Sequence, residues 1–414
     1  MFIVSAPWIV PVSDSVIQDG SIVIAGDRIE AVGRRDDITR SYQGLEEKRY
    51  KGVLMPGLIN AHMHLELSYL GQSKELSEGQ TFTDWISTLL EKRGKVQASE
   101  EEIVNSITAT IDEQYQAGVV LIADIGNTHF QELRGKTNAA GIEVYRMLEF
   151  LGPDKGAVDR TLLSLKSLNA ELPVTAHAPY STVPVLLQAI KHRCRESAHL
   201  FSIHTAESAG EQQFISSLTG PFRDFLEKRN SWDGSFDDGG LGAASTSTVS
   251  YFEKLNILDD KTLLVHCTHV STEDIQLIVQ SGAKVCLCPG SNQFLKVGVA
   301  PVTDMVEAGI LPCLGTDSIT SNPALDLWRE MGMLSKVHRG VSHDTILKMA
   351  TLGGARAMHR ECDYGSLSVG KKSNFIHVSS ERLLACQNRE EVIRVLVTAG
   401  KPAEIGHVVP GVSQ

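Results

Sequence analysis

The stretch 53–64, VLMPGLINAHMH, decides the fold. It is a largely apolar run, interrupted at Pro56-Gly57 and Asn60, and it closes on His62 and His64. A short, largely apolar run suits a strand buried on both faces of a parallel sheet. On an extended segment, residues two apart share a face. Both imidazoles can therefore reach one divalent ion at about 2.0–2.1 Å.

Working outward, seven more short apolar runs follow. With the first, they predict strands over 53–60, 119–125, 142–150, 172–177, 201–204, 262–266, 284–288 and 311–316. The polar residues at or near their ends are His62, Asp124, Arg146, His177, His204, His266, Asn292 and Asp317. Helical patterns lie between them, for example at 100–117, 182–193, 208–228, 271–281 and 300–308. Eight β/α units over about 270 residues suit a (β/α)₈ barrel, whose catalytic residues sit at the C-terminal strand ends. No Gly-rich phosphate loop supports an open doubly wound sheet.

Both flanks read as β-rich. SIVIAGDRIEAVG places two apolar runs around Gly26-Asp27, a hairpin signal. The last fifty residues resume with NFIHVS and VIRVLVTAG. The expected division is a small β-sandwich from residues 1–52 and 362–414, and the barrel from 53–361. Residues 229–248 are rich in Gly, Ser and Asp, and fit a surface insertion as well as a substrate lid.

Four strand ends together suggest a metal site. His62 and His64 end the first run, His204 the fifth, His266 the sixth and Asp317 the eighth. Imidazole nitrogens and a carboxylate suit a borderline divalent ion, and an open coordination position lets such an ion make hydroxide near neutral pH. Glu207, three residues after His204, is the expected proton carrier; the plainer alternative is a helix N-terminal acid. His266 is the expected base or electrostatic partner of the attacking water. Asp317 is expected to accept a proton as well as bind metal, against the alternative of a helix N-cap. His177, Arg146 and Trp85 are the expected substrate contacts, with Arg146 suited to a carboxylate and Trp85 to stacking or to core packing. Cys286 and Cys288 read as buried packing.

Composition narrows the class. The 414 residues carry a net charge of -11 without an acidic block, which disfavours nucleic acid as a partner. No apolar run reaches 18 residues, so no membrane span is expected. The apolar N-terminus MFIVSAPWIVPVSDS lacks a basic region and reads as a strand. Seven cysteines without framework spacing fit reduced thiols and a cytoplasmic protein. A small-molecule substrate and a homo-oligomer are expected.

PGLINAHMHLELS, HAPYS, HTAES, LLVHCTHV and LGTDSITSNPALDLWREM together resemble the amidohydrolase superfamily, in its cytosine-deaminase-like and chlorohydrolase-like branch. The likeness runs over nearly the whole chain. It implies a distorted barrel with a terminal β-sandwich and one divalent ion, zinc or iron. It assigns His62, His64, His204 and Asp317 as ligands, Glu207 as the HxxE glutamate and His266 as the sixth-strand histidine. His177 stands where relatives with two ions carry a carboxylated lysine, which implies a mononuclear site. HAPYS and HTAES are similar to S-adenosylhomocysteine and methylthioadenosine deaminases. TFTDWISTLLEKR and VSYFEKLNILDDKTLLVHCTHV are similar to aminodeoxyfutalosine deaminases of menaquinone synthesis, although Gly290 in CPGSNQFL departs from the basic residue expected there. The expected reaction is hydrolytic deamination of an adenine-type ring, with 6-amino-6-deoxyfutalosine as substrate. The rivals keep the same ligands: another aminopurine deaminase, a triazine chlorohydrolase or a cyclic-amide hydrolase.

Overall fold

The computed structural model describes residues 1–76, 79–127, 141–237 and 245–408. Eight parallel strands follow the expected order and lie in two four-stranded sheets. One holds Leu58–Met63, Val119–Gly126, Glu143–Phe150 and Val174–Ala176; the other holds Phe201–Thr205, Thr262–His266, Lys284–Leu287 and Cys313–Leu314. Hydrogen bonds join the sheets at both edges. Thr316 and Asp317 N–H each donate to the His62 carbonyl at 3.1 Å, and His204 N–H donates to the His177 carbonyl at 3.0 Å. One apolar cluster takes Ile59, Leu121 and Met147 from the first sheet and Val265, Cys286 and Cys313 from the second. Cys286 and Cys288 are fully buried in it, as packing requires.

A further sheet is built from both ends of the chain. Its order is Glu404–Val408, Phe375–Ser379, Val53–Pro56, Phe2–Ile9, Ile17–Ala25, Arg28–Arg34, with Glu47–Arg49 alongside Phe2–Ile9. The expected hairpin turns at Gly26, whose φ of 61° suits glycine. Among the described residues no helix is long and apolar enough to cross a membrane.

Three expectations need correction. The run 53–60 is not one strand: Val53–Pro56 pairs in the terminal sheet and Leu58–Met63 starts the parallel set. The switch falls at Gly57, where a Cβ would stand 2.2 Å from Val120 Cγ1. The helix over 208–228 is two helices, Ala209–Ser217 and Pro221–Lys228. Leu218 and Gly220 take positive φ between them, and Pro221 starts the second. VIRVLVTAG, read as β, belongs to the helix Arg389–Thr398. Asn388 caps it by accepting from Glu391 N–H at 2.9 Å, Glu390 and Glu391 fill its first turn, and its apolar face packs on helices Leu327–Val337 and His343–Lys348. Cap and packing outweigh the β-branched composition.

One ion pair anchors the terminal sheet. Arg35 grips Glu47 through two bonds of 2.7 and 2.9 Å, and Ser5 Oγ donates to Glu47 at 2.6 Å. The Arg35 hydrogen bond, with that from Ser5, holds the Glu47 carboxyl down at about 2 despite partial burial. A depressed carboxylate stabilises the fold above its unfolded pKa and loses that stability as pH falls towards the folded one. Glu47→Gln is therefore expected to cost about 1 kcal/mol at pH 7, given the pair's partial exposure. The difference should shrink once the pH drops below about 4.5. Urea midpoints of both proteins at pH 7 and 3.5 check this; an equal gap at both would remove the ion pair as its cause.

Candidate metal centre and active site

The ligand atoms of His62, His64 and His204 lie within 4.8 Å of one another. Two of the rings, those of His64 and His204, are oriented by a defined neighbour. His64 Nδ1 sits 3.0 Å from the Ile125 carbonyl, which can only accept, so Nδ1 carries the proton and Nε2 keeps its lone pair. His266 Nδ1 lies 2.8 Å from Asn292 Oδ1, and His266 Nε2 lies 3.0 Å from His204 Nδ1. With both histidines neutral, protons run from His204 Nδ1 to His266 Nε2 and from His266 Nδ1 to Asn292. That leaves the His204 Nε2 lone pair free. Burial lowers the pKa of three rings: His62 falls to about 4, and His204 and His266 also fall below the usual range.

Asp317 completes the group. Its Oδ1 is 3.7 Å from His62 Nε2 and 3.5 Å from His64 Nε2, and its Oδ2 accepts from Ser291 Oγ at 2.8 Å and Ser321 Oγ at 2.6 Å. Burial alone would raise its pKa, but His62 and His64 pull it well below the carboxylate range. It caps no helix: the next one, Leu327–Val337, is capped by Asp326. His266 and Asp317 both have positive φ, 74° and 58°, a costly backbone state for such residues and one that clusters at functional sites.

These residues fit a divalent ion. Both ring nitrogens of His62 and Nε2 of His204 are buried without a hydrogen-bond partner among the described residues. Orphaned buried polar atoms of this kind are costly, and a cation between His62, His64, His204 and Asp317 would satisfy one His62 nitrogen and His204 Nε2.

Glu207 is 2% exposed and adjoins both histidines, 3.6 Å from His266 Nε2 and 3.8 Å from His204 Nδ1. Capping is not its role, since Ser208 caps the helix Ala209–Ser217. The turn that presents it is clamped by Glu211, which accepts from Ala206 N–H at 2.6 Å and Glu207 N–H at 3.1 Å. Burial, then the charges of Asp317 and Glu211, raise the Glu207 carboxyl well above its usual pKa.

A cavity of about 340 Å³ opens above the group, lined by His64, His177, His204, Glu207 and Asp317 on its floor. Phe82, Trp85, Ile86 and Leu89 make an apolar wall, and exposed Arg229 also lines it. His177 is 4.9 Å from His204 ring to ring, and its Nδ1 pairs with Ser181 Oγ at 2.7 Å. Trp85 packs with Leu76, Phe294 and Leu295 and also lines the cavity, so its packing and its exposure to a ligand coexist. Arg146 does not line it. Its Nε donates to Asp124 Oδ2 at 2.7 Å, and Asp124 in turn accepts from Leu65 N–H. The third-strand residue that lines the cavity is Glu149, which is buried. The signal was the strand's period of two: Met147 faces the cluster between the sheets, so Glu149 shares its face and Arg146 does not. Glu66, Arg93 and Asn127, also on the wall, were missed as well; Arg93 donates to Glu66 and Asn127 at 3.1 Å each. Of the insertion at 229–248, residues 238–244 lie outside the described residues, and the lid expectation with them.

Comparisons agree with this layout. A deaminase of 5-methylthioadenosine and S-adenosylhomocysteine from Pelotomaculum thermopropionicum is 27% identical over 96% of this chain and 88% of its own. One of the same name from Moorella thermoacetica is 28% identical over 89% and 83%. The Helicobacter pylori aminofutalosine deaminase structure with methylthio-coformycin superposes with a TM-score of 0.81 at 21% identity, covering 99% of this chain and 100% of that one. The sequence model of the Amidohydrolase family matches residues 53–403, most of the chain. The chain belongs to the amidohydrolase family and is a hydrolase acting on carbon–nitrogen bonds.

Proposed function

We propose that this protein is a metal-dependent hydrolytic deaminase of an adenine-type ring in a nucleoside-like substrate. The observation that carries it is Glu207: a buried carboxyl whose surroundings raise its pKa, beside a complete His62, His64, His204 and Asp317 ligand set. The similarity to aminopurine deaminases supports the substrate class.

In this reading one divalent ion, zinc or iron, is held by those four residues and supplies the Lewis acidity that brings water's pKa towards about 7. Glu207 donates its proton to the ring nitrogen beside the carbon that bears the amino group and is restored by the first proton that the attacking water loses. His266, fixed by Asn292, stabilises charge developing on the attacking water. Asp317, with Oδ2 held by two serines, takes the water's remaining proton and returns it to the departing ammonia. His177 faces the ring from the fourth strand. The apolar wall with Trp85 takes the substituent beyond the sugar, and Arg229 suits a terminal carboxylate there. Those features and the motifs TFTDWISTLLEKR and VSYFEKLNILDDKTLLVHCTHV favour 6-amino-6-deoxyfutalosine. The fold reading that goes with this is a distorted (β/α)₈ barrel from Leu58 to about residue 361, with Val53–Pro56 joining both chain ends in the terminal β domain, supported by the hydrogen bonds that join the two parallel sheets.

Ammonia release by the metal-loaded protein should be measured on adenosine, 5′-methylthioadenosine, S-adenosylhomocysteine and 6-amino-6-deoxyfutalosine. Turnover of the last above the others is expected. Turnover of a chlorotriazine or a cyclic amide, with none of these nucleosides, would overturn the reading.

A further inference from the structure

Glu149 ends the third strand next to the metal centre, and the chemistry above does not use it. It is 5% exposed and lines the cavity. Its Oε2 accepts from Asn127 Nδ2 at 3.2 Å, while its buried Oε1 has no hydrogen-bond partner among the described residues. A buried acceptor left unmet costs about 1–3 kcal/mol. A ligand in the cavity that carries a donor would meet it.

The geometry limits which donor. His204 belongs to three groups of close ligand atoms: the metal set with His62 and His64, a flank with Glu207 and His266, and a flank with Glu149 and His177. The reacting carbon belongs to the first flank, where Glu207 reaches the ring nitrogen. Glu149 therefore faces the part of the substrate that does not react. An adenine ring substituted at N9 has one donor of its own, the amino group, and that group leaves at the first flank. The donors that remain are the hydroxyls of the sugar.

We infer that Glu149 accepts a hydrogen bond from one sugar hydroxyl and makes the site selective for ribosyl over deoxyribosyl substrates. Asn127 holds one carboxyl oxygen so that the other points at the ligand. Glu149 is thus a specificity-determining residue, and the inference rests on the deaminase reading.

The test compares kcat/KM for adenosine, 2′-deoxyadenosine and 3′-deoxyadenosine in the wild type and in Glu149→Ala and Glu149→Gln. In the wild type, at least one deoxy analogue should fall by about 10-fold or more, the share of one hydrogen bond to a charged partner. In Glu149→Ala the gap should close to within about 2-fold, because the site then has no acceptor to leave unmet. Glu149→Gln, which keeps an oxygen there, should retain part of it. A gap that persists in Glu149→Ala, an equal fall on all three substrates, or no discrimination by the wild type would overturn the inference. Should Glu149→Ala not fold, Glu149→Gln decides: an unchanged kcat/KM ratio overturns the role. Should the wild type release no ammonia from any nucleoside, the deaminase reading fails by itself. Calorimetric binding of inosine against its 2′- and 3′-deoxy forms then judges Glu149 separately, and equal affinities in the wild type overturn it.

Discussion

Glu207→Gln is expected to lower turnover by at least about 10²-fold while bound metal stays at the wild-type level. The substitution keeps size and polarity but removes the transferable proton. Glu207 stands 3.6 and 3.8 Å from His266 and His204, close enough to share their site without being one of the four ligands. Its backbone is held by Glu211, so the variant should keep the turn. Metal content and kcat measured on the same preparation check this. A variant that stays active would end the proton-donor role, and one that loses its ion would make Glu207 a ligand.

His204→Ala is expected to have the opposite signature, losing metal and activity together. Its ring supplies a ligand nitrogen directly, so the loss of affinity should exceed about 100-fold, the upper range for removing an outer partner. Asn292→Ala provides that outer comparison. It removes the acceptor that fixes His266 and, through it, His204, and should weaken metal binding by about 10–100-fold. Competition against a chelator of known affinity ranks the three proteins. If Asn292→Ala binds metal as tightly as the wild type, the chain of ring protons is not what orients the ligand.

Much of this was legible before any coordinates, because a buried parallel strand leaves a strong mark: an apolar run with a polar end. The eight runs and their order follow from that mark, as does the convergence of His62, His64, His204, His266 and Asp317. What the runs do not encode is where a strand changes partner. Val53–Met63 reads as one strand and serves two sheets, because the break at Gly57 depends on how closely Val120 approaches. Composition also misleads where tertiary packing decides: Val392, Ile393, Val395, Leu396 and Val397 are β-branched or apolar, yet Asn388 and two neighbouring helices make them helical. At the site, Arg146 attracted attention as a charge near a strand end. Counting alternate residues back from Phe150 would have separated it from Glu149, which shares the inward face of Met147. Glu211, Ser291 and Ser321 left no such mark, since each matters only through a partner distant in sequence or across a turn.

The central claim is that one ion and one proton-carrying carboxyl on this chain deaminate an aminopurine nucleoside. Its most direct test is to strip the protein of metal, add zinc or iron(II) back in steps, and follow ammonia release from 6-amino-6-deoxyfutalosine and 5′-methylthioadenosine. The account predicts no ammonia from the stripped protein, then a linear rise that stops at one equivalent per chain. Full activity without metal, a rise that continues to two equivalents, or no ammonia at any loading would contradict it.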